Sequence, residues 1–139
     1  MYDRILLATD GSERALTAAT HALELAARFD AELHALFVVE TRTAYDTAIV
    51  DRAEARANLR EIGTEALAEV EQLAADSDRS VEATIEEGVP AEQIIEYADA
   101  NDIDLVVVGE RGHSEFTTVL LGSTAETVLY ELDSPVVVV

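Results

Sequence analysis

The chain has 139 residues and a net charge of −20, with 29 acidic residues against 9 basic ones, all of them arginine. That length suits one domain with a substantial core, and the charge leaves no basic patch to neutralise nucleic-acid phosphates. The absence of cysteine excludes disulfides, thiolate metal sites and thiol redox chemistry. No lysine is present, so a P-loop of the form G-x-x-x-x-G-K-[ST] cannot be built. The carboxylates are spread over every helical segment and form no single block, a pattern expected of adaptation to concentrated salt. Met1-Tyr2-Asp3-Arg4 leads directly into a short strand-like run, unlike a signal peptide, and no stretch approaches a membrane span. A cytoplasmic protein is the expectation.

In chain order the pattern alternates strand and helix. Residues 3–8 read as a first strand, and Ser12 is placed to cap a helix with the stripe Leu16, Ala19, Leu23 and Ala26. Leu33 to Val39 is a second strand. Residues 41–55 carry no clear signal and fit either a lid or the start of a long helix. That helix presents Leu59, Ile62, Ala66, Val70 and Leu73 on one face. Val81, Ala83 and Ile85 alternate with polar residues, as in a strand at a partly exposed edge. Gly88-Val89-Pro90 forms a turn whose proline opens a helix through about Ala100. Ile103 to Val108 is a fourth strand, Ser123 to Leu132 a fourth helix, and Val136 to Val139 a fifth strand. Five strands separated by four helices predict an α/β fold with a doubly wound parallel sheet. Ligands of such sheets bind at the carboxyl ends of the strands, where the order reverses.

Glycines punctuate that edge: Gly109-Glu110-Arg111-Gly112 follows the apolar Leu105-Val106-Val107-Val108, and Gly122-Ser123-Thr124 opens the last helix. Strand, glycine turn, loop and helix N-terminus can turn backbone N–H groups toward a phosphate. Ser123 with Glu126 also fits a capping box that needs no ligand. Asp10, in Ala8-Thr9-Asp10-Gly11-Ser12, can accept hydrogen bonds from a ribose or adenine edge, help place magnesium, or simply order the turn. Val38 can wall a base or belong to the core. His113 is a candidate phosphate contact. His21, His34 and His113 lie in separate elements without ligand spacing, so no metal site is expected. A single Gly11 after the first strand disfavours a G-x-G-x-x-G dinucleotide fold. A phospho-receiver plan fails because the third strand ends in Glu86-Glu87-Gly88 and no lysine follows the fifth strand.

The spacing Gly109-x2-Gly112-x9-Gly122-Ser123 resembles the G-2x-G-9x-G-[S/T] motif of the universal stress protein family. Ile5-Leu6-Leu7-Ala8-Thr9-Asp10-Gly11-Ser12, Glu87-Gly88-Val89-Pro90 and Ser134-Pro135-Val136-Val137-Val138-Val139 resemble it as well. The resemblance spans the chain and implies an open sheet of order 3-2-1-4-5 and a homodimer. For the nucleotide-binding branch it implies ATP, or AMP or ADP, with magnesium held through the phosphates. Asp10 and Val38 would contact adenosine and Gly109 the ribose, while Gly112, Gly122, Ser123 and Thr124 would hold phosphates. Thr9, Val108, Arg111 and His113 complete the set. Two residues depart from the family pattern: Glu110 stands where Ser or Thr is common, and His113 where Arg or Lys is.

A binding or sensing role in the stress response is expected, with at most slow ATP hydrolysis, because the loop offers only Arg111 and His113 to a developing phosphate charge. The alternative is a stress protein acting through protein contacts alone. Val136 to Val139 would be an apolar edge strand, whose pairing with a second copy would satisfy its backbone groups.

Overall fold

The computed structural model describes residues 1–40, 52–109 and 123–139. Strand β1 (Arg4–Thr9) is followed by α1 (Glu13–Phe29), β2 (Glu32–Glu40), α2 (Arg52–Asp76), β3 (Val81–Gly88), α3 (Pro90–Ala100), β4 (Leu105–Val108), α4 (Ser123–Glu131) and β5 (Val136–Val138). The strands form one sheet of order β3-β2-β1-β4-β5, every neighbouring pair parallel. β3 is the exposed edge that its alternating pattern predicted. Residues 52–55 belong to α2, whereas 41–51 lie outside the described residues.

The central strands bury both faces, which is why β1 and β4 read as unbroken apolar runs. Ile5, Leu7, Leu105 and Val107 face a core completed by α1 and α2. Leu6, Val106 and Val108 face a second core made with α3 and α4. The period of two along each strand thus divides one apolar run between two helical layers.

Two helical stripes differ from the expected ones. The buried face of α1 is Ala15, Ala18, Ala19, Ala22, Leu23 and Ala26, while Leu16 is 36% exposed. Small side chains let α1 lie close against the sheet, and that contact turns Leu16 to the margin. In α2 the buried apolar side chains are Ala66, Leu67, Val70 and Ala74, and Ile62 is 42% exposed. Gly63 sets this rotation: a Cβ there would lie 2.5 Å from Cδ1 of the buried Phe37.

Three helix exits share one device. Asp30, Asp78 and Asp102 adopt positive φ (51°, 56° and 52°). The next N–H in each case bonds back to a carbonyl of the last turn: Ala31 to Ala26, Arg79 to Ala74, and Ile103 to Ala98. Aspartate tolerates this left-handed conformation better than most residues, so the chain makes its helix stops without spending glycine.

Replacing Gly63 by alanine gains about 1 kcal/mol in helix propensity but overpacks Phe37, a strain of about 1–3 kcal/mol. Chemical denaturation should show Gly63→Ala to be net destabilised, with part of the loss recovered when Phe37→Leu is added.

Candidate functional site

Pairing of β1 with β4 runs from Ile5↔Leu105 to Ala8↔Val108, so Thr9, the last residue of β1, and Gly109, the first beyond β4, follow side by side. Here the chain order reverses, with β2 on one side of β1 and β4 on the other. The turn after β1 is organised by its own side chains. Thr9 Oγ1 accepts the Gly11 N–H at 3.3 Å, and Asp10 Oδ1 accepts the Ser12 N–H at 2.9 Å. Ser12 Oγ accepts the Ala15 N–H at 3.2 Å, the expected cap of α1. Gly11 has φ +80°, the left-handed region where glycine is favoured, and faces Ala66 and Ile62 of α2.

Val38 is half-buried near the carboxyl end of β2, on the face shared with Val108 and the α3–α4 core. Gly109 is half-buried directly behind Val108, whose carbonyl accepts the Val139 N–H at 2.9 Å. Thr124 is half-buried in the first turn of α4. The fold therefore sets Thr9, Asp10, Val38, Val108 and Gly109 at or beside the carboxyl edge of the sheet, while Thr124 stands in the first turn of α4. Arg111, Gly112, His113 and Gly122, with Glu110, lie outside the described residues, as does the Ser123 side chain. α4 begins at Ser123 and ends at Glu131, one residue short of the predicted end.

The sequence profile of the universal stress protein family matches residues 1–139. The chain belongs to the universal stress protein family. It is 37% identical over 140 residues to a universal stress protein of Methanocaldococcus jannaschii, covering 100% of this chain and 82% of the relative. The solved structure of the universal stress protein UspA from Lactobacillus plantarum is similar at 32% identity with a TM-score of 0.89, over 99% of this chain and 97% of that one. A universal stress protein solved in complex with cAMP is similar at 26% identity and TM-score 0.72, over 99% of this chain and 97% of that one.

A second polar cluster, at the amino ends of β2 and β3, was not legible in the sequence. His34 is 3% exposed on β2, under α3. Its Nε2 lies 2.8 Å from Glu32 Oε1, its Nδ1 lies 2.7 Å from the Tyr97 hydroxyl, and Glu82 Oε2 is 3.6 Å from Nδ1. Register explains the grouping: Glu32 is two residues before His34 on the same face, and Glu82 pairs with His34 across β2 and β3. The i, i+2 spacing of Glu32 and His34 is the one signal available beforehand, and it has meaning only once the strand and its neighbour are known.

Burial raises the Tyr97 pKa above its ordinary value, and the nearby carboxylates Glu82, Glu32 and Glu86 add to the effect against a hydrogen bond with Thr84. Folded Tyr97 thus keeps its proton at a pH where the unfolded chain's phenol, at about 10, has lost it. Its contribution to stability is whole below pH 10 and is lost as pH rises through the folded value. In an ultraviolet pH titration, Tyr97→Phe should remove the latest phase of phenol ionisation.

Proposed function

We propose that this chain binds an adenosine nucleotide at the carboxyl edge of β1 and β4 and acts as a homodimeric sensor or regulator in the stress response. The observation that carries the reading is the β1–β4 pairing, which brings the Thr9–Ser12 turn beside Gly109 at the reversal of strand order. Asp10 and Val38 are assigned to adenosine and Gly109 to the ribose. Gly112, Gly122, Ser123 and Thr124, with Arg111 and His113, are assigned to the phosphates of ATP, ADP or AMP, and magnesium is carried through those phosphates. The similar universal stress protein in complex with cAMP supports an adenine nucleotide as the ligand class.

Mass spectrometry of small molecules released from the purified protein, followed by calorimetry with ATP, AMP and cAMP, tests the assignment. Asp10→Ala should weaken binding roughly ten- to hundred-fold, the worth of one or two charge-assisted hydrogen bonds, and Gly122→Val should abolish binding of the triphosphate. Absence of released nucleotide together with no calorimetric signal would sink the proposal in favour of a role through protein contacts alone.

A net charge of −20 repels a nucleotide at long range. Raising KCl from about 0.1 M to about 1 M shortens the Debye length from about 10 Å to about 3 Å, so ATP affinity should rise across that interval. A steady fall in affinity would show that screened attraction, not global repulsion, governs the site.

For the homodimer, β5 supplies the surface. Among the described residues it pairs with β4 alone and ends the sheet, with Val136, Val137 and Val138 half-buried. Pairing of two β5 edges satisfies their outward backbone groups. Val138→Asp should convert a sedimenting dimer into a monomer in molar salt.

A further inference from the structure

We propose that Glu32, His34 and Glu82 form a binding site for a divalent transition-metal ion of the zinc class, at the opposite end of the sheet from the nucleotide edge. One ligand atom from each residue can be chosen so that all three lie within 4.8 Å of one another. Imidazole with two carboxylates suits zinc and its neighbours, whereas magnesium and calcium prefer oxygen alone.

The proton inventory fits. An ionised carboxylate only accepts, so Nε2 presents a proton to Glu32 Oε1 at 2.8 Å. Nδ1 lies 2.7 Å from the Tyr97 hydroxyl. A metal ion takes the place of the Nε2 proton between the same two atoms, and Glu82, whose Oε2 stands 3.6 Å from Nδ1, swings round the ring edge to complete the set. Tetrahedral ligands at about 2.0–2.2 Å from zinc stand about 3.3 Å apart, so the existing pair needs to open only slightly. The ring proton moves to Nδ1 and is donated to the Tyr97 oxygen, whose own hydroxyl can turn toward Thr84, its hydrogen-bond partner. This outer partner fixes the ring orientation in the way metal-bound histidines require. An edge-to-face contact, 5.7 Å between the His34 and Tyr97 ring centroids, holds it further.

Access is provided on the solvent side. The Glu32 and Glu82 side chains are 53% and 63% exposed. Both line an open depression of about 820 Å³ at the amino ends of β2 and β3, which Asp30 and Asp78 also line. Arg79 in the same depression is tied to Asp30 at 3.3 Å, and Arg4 approaches the other oxygen of Glu32 at 3.7 Å, leaving Oε1 toward His34. The depression admits solvent to both carboxylates.

The test uses the full chain, stripped with chelator and dialysed into high KCl. Calorimetry with Zn²⁺ should give one saturable site per chain that excess Mg²⁺ does not displace, and Co²⁺ should develop the visible absorption of a tetrahedral site. Glu32→Gln and Glu82→Gln, both at exposed positions, should each weaken Zn²⁺ roughly tenfold or more, and His34→Gln should abolish the Co²⁺ spectrum. The proposal is overturned if no saturable Zn²⁺ binding occurs. It is equally overturned if the Glu32→Gln/Glu82→Gln double variant binds as tightly as the parent, because the ion is then held diffusely by the acidic surface.

Discussion

The parallel pairing of β1 with β4 is the constraint on which the rest of the molecule depends. It joins segments about a hundred residues apart in the chain, and it is stitched at its start by Asp104, whose Oδ2 accepts the N–H groups of Asp3 and Arg4 at 2.8 and 2.9 Å. Ile5, Leu6, Leu105, Val106 and Val107 are almost wholly buried because helices cover both faces of this pair. Once the pair forms, α1 and α2 must occupy one face and α3 and α4 the other, and the two turns at its carboxyl end must meet. A charged residue within it would remove a buried side chain from one core and place an unpaired charge there instead.

The acidic surplus is accommodated without disturbing those cores. Carboxylates occupy turns, helix exits and exposed helix faces, and several are given structural tasks. Asp30, Asp78 and Asp102 make left-handed helix stops, Asp10 bonds its own turn, and Glu87 lies 3.4 Å from Arg60 and 4.0 Å from Arg56. Aspartate at a helix C-terminus runs against the helix dipole, so its use there reflects tolerance of the backbone conformation more than favourable electrostatics. Among the described residues, buried polar side chains are confined to Thr9 and His34. These two sit at opposite ends of the sheet, one in the turn assigned to nucleotide and the other at the centre of the Glu32–Glu82 cluster. The apolar sheet between them keeps the two polar groups apart.

Strand order, parallel direction and the capped turn after β1 were readable from the chain because their signals are local or strongly patterned. Apolar runs of four to six residues, separated by helical periods, leave few arrangements, and the ordered family motifs select one of them. Less was readable of helix orientation: Leu16 and Ile62 fit the expected stripes yet lie at the margins, because Gly63 and the alanines of α1 allow closer contact along a rotated face. Periodicity identifies a helix but does not say how nearly it can approach a sheet.

The same division holds for the sites. Asp10, Gly109 and the start of α4 were singled out by motif spacing along the chain, and the β1–β4 pairing sets the first two at the switch point. His34, Glu82 and Tyr97 carry no such spacing, being 48 and 15 residues apart in succession. The sequence by itself determined which segments are strands and where they turn, since these follow from hydrophobic period and backbone preference. Only tertiary structure decided that a lone histidine would be buried between two carboxylates and a tyrosine, because cross-strand register and the packing of α3 are set by the whole sheet.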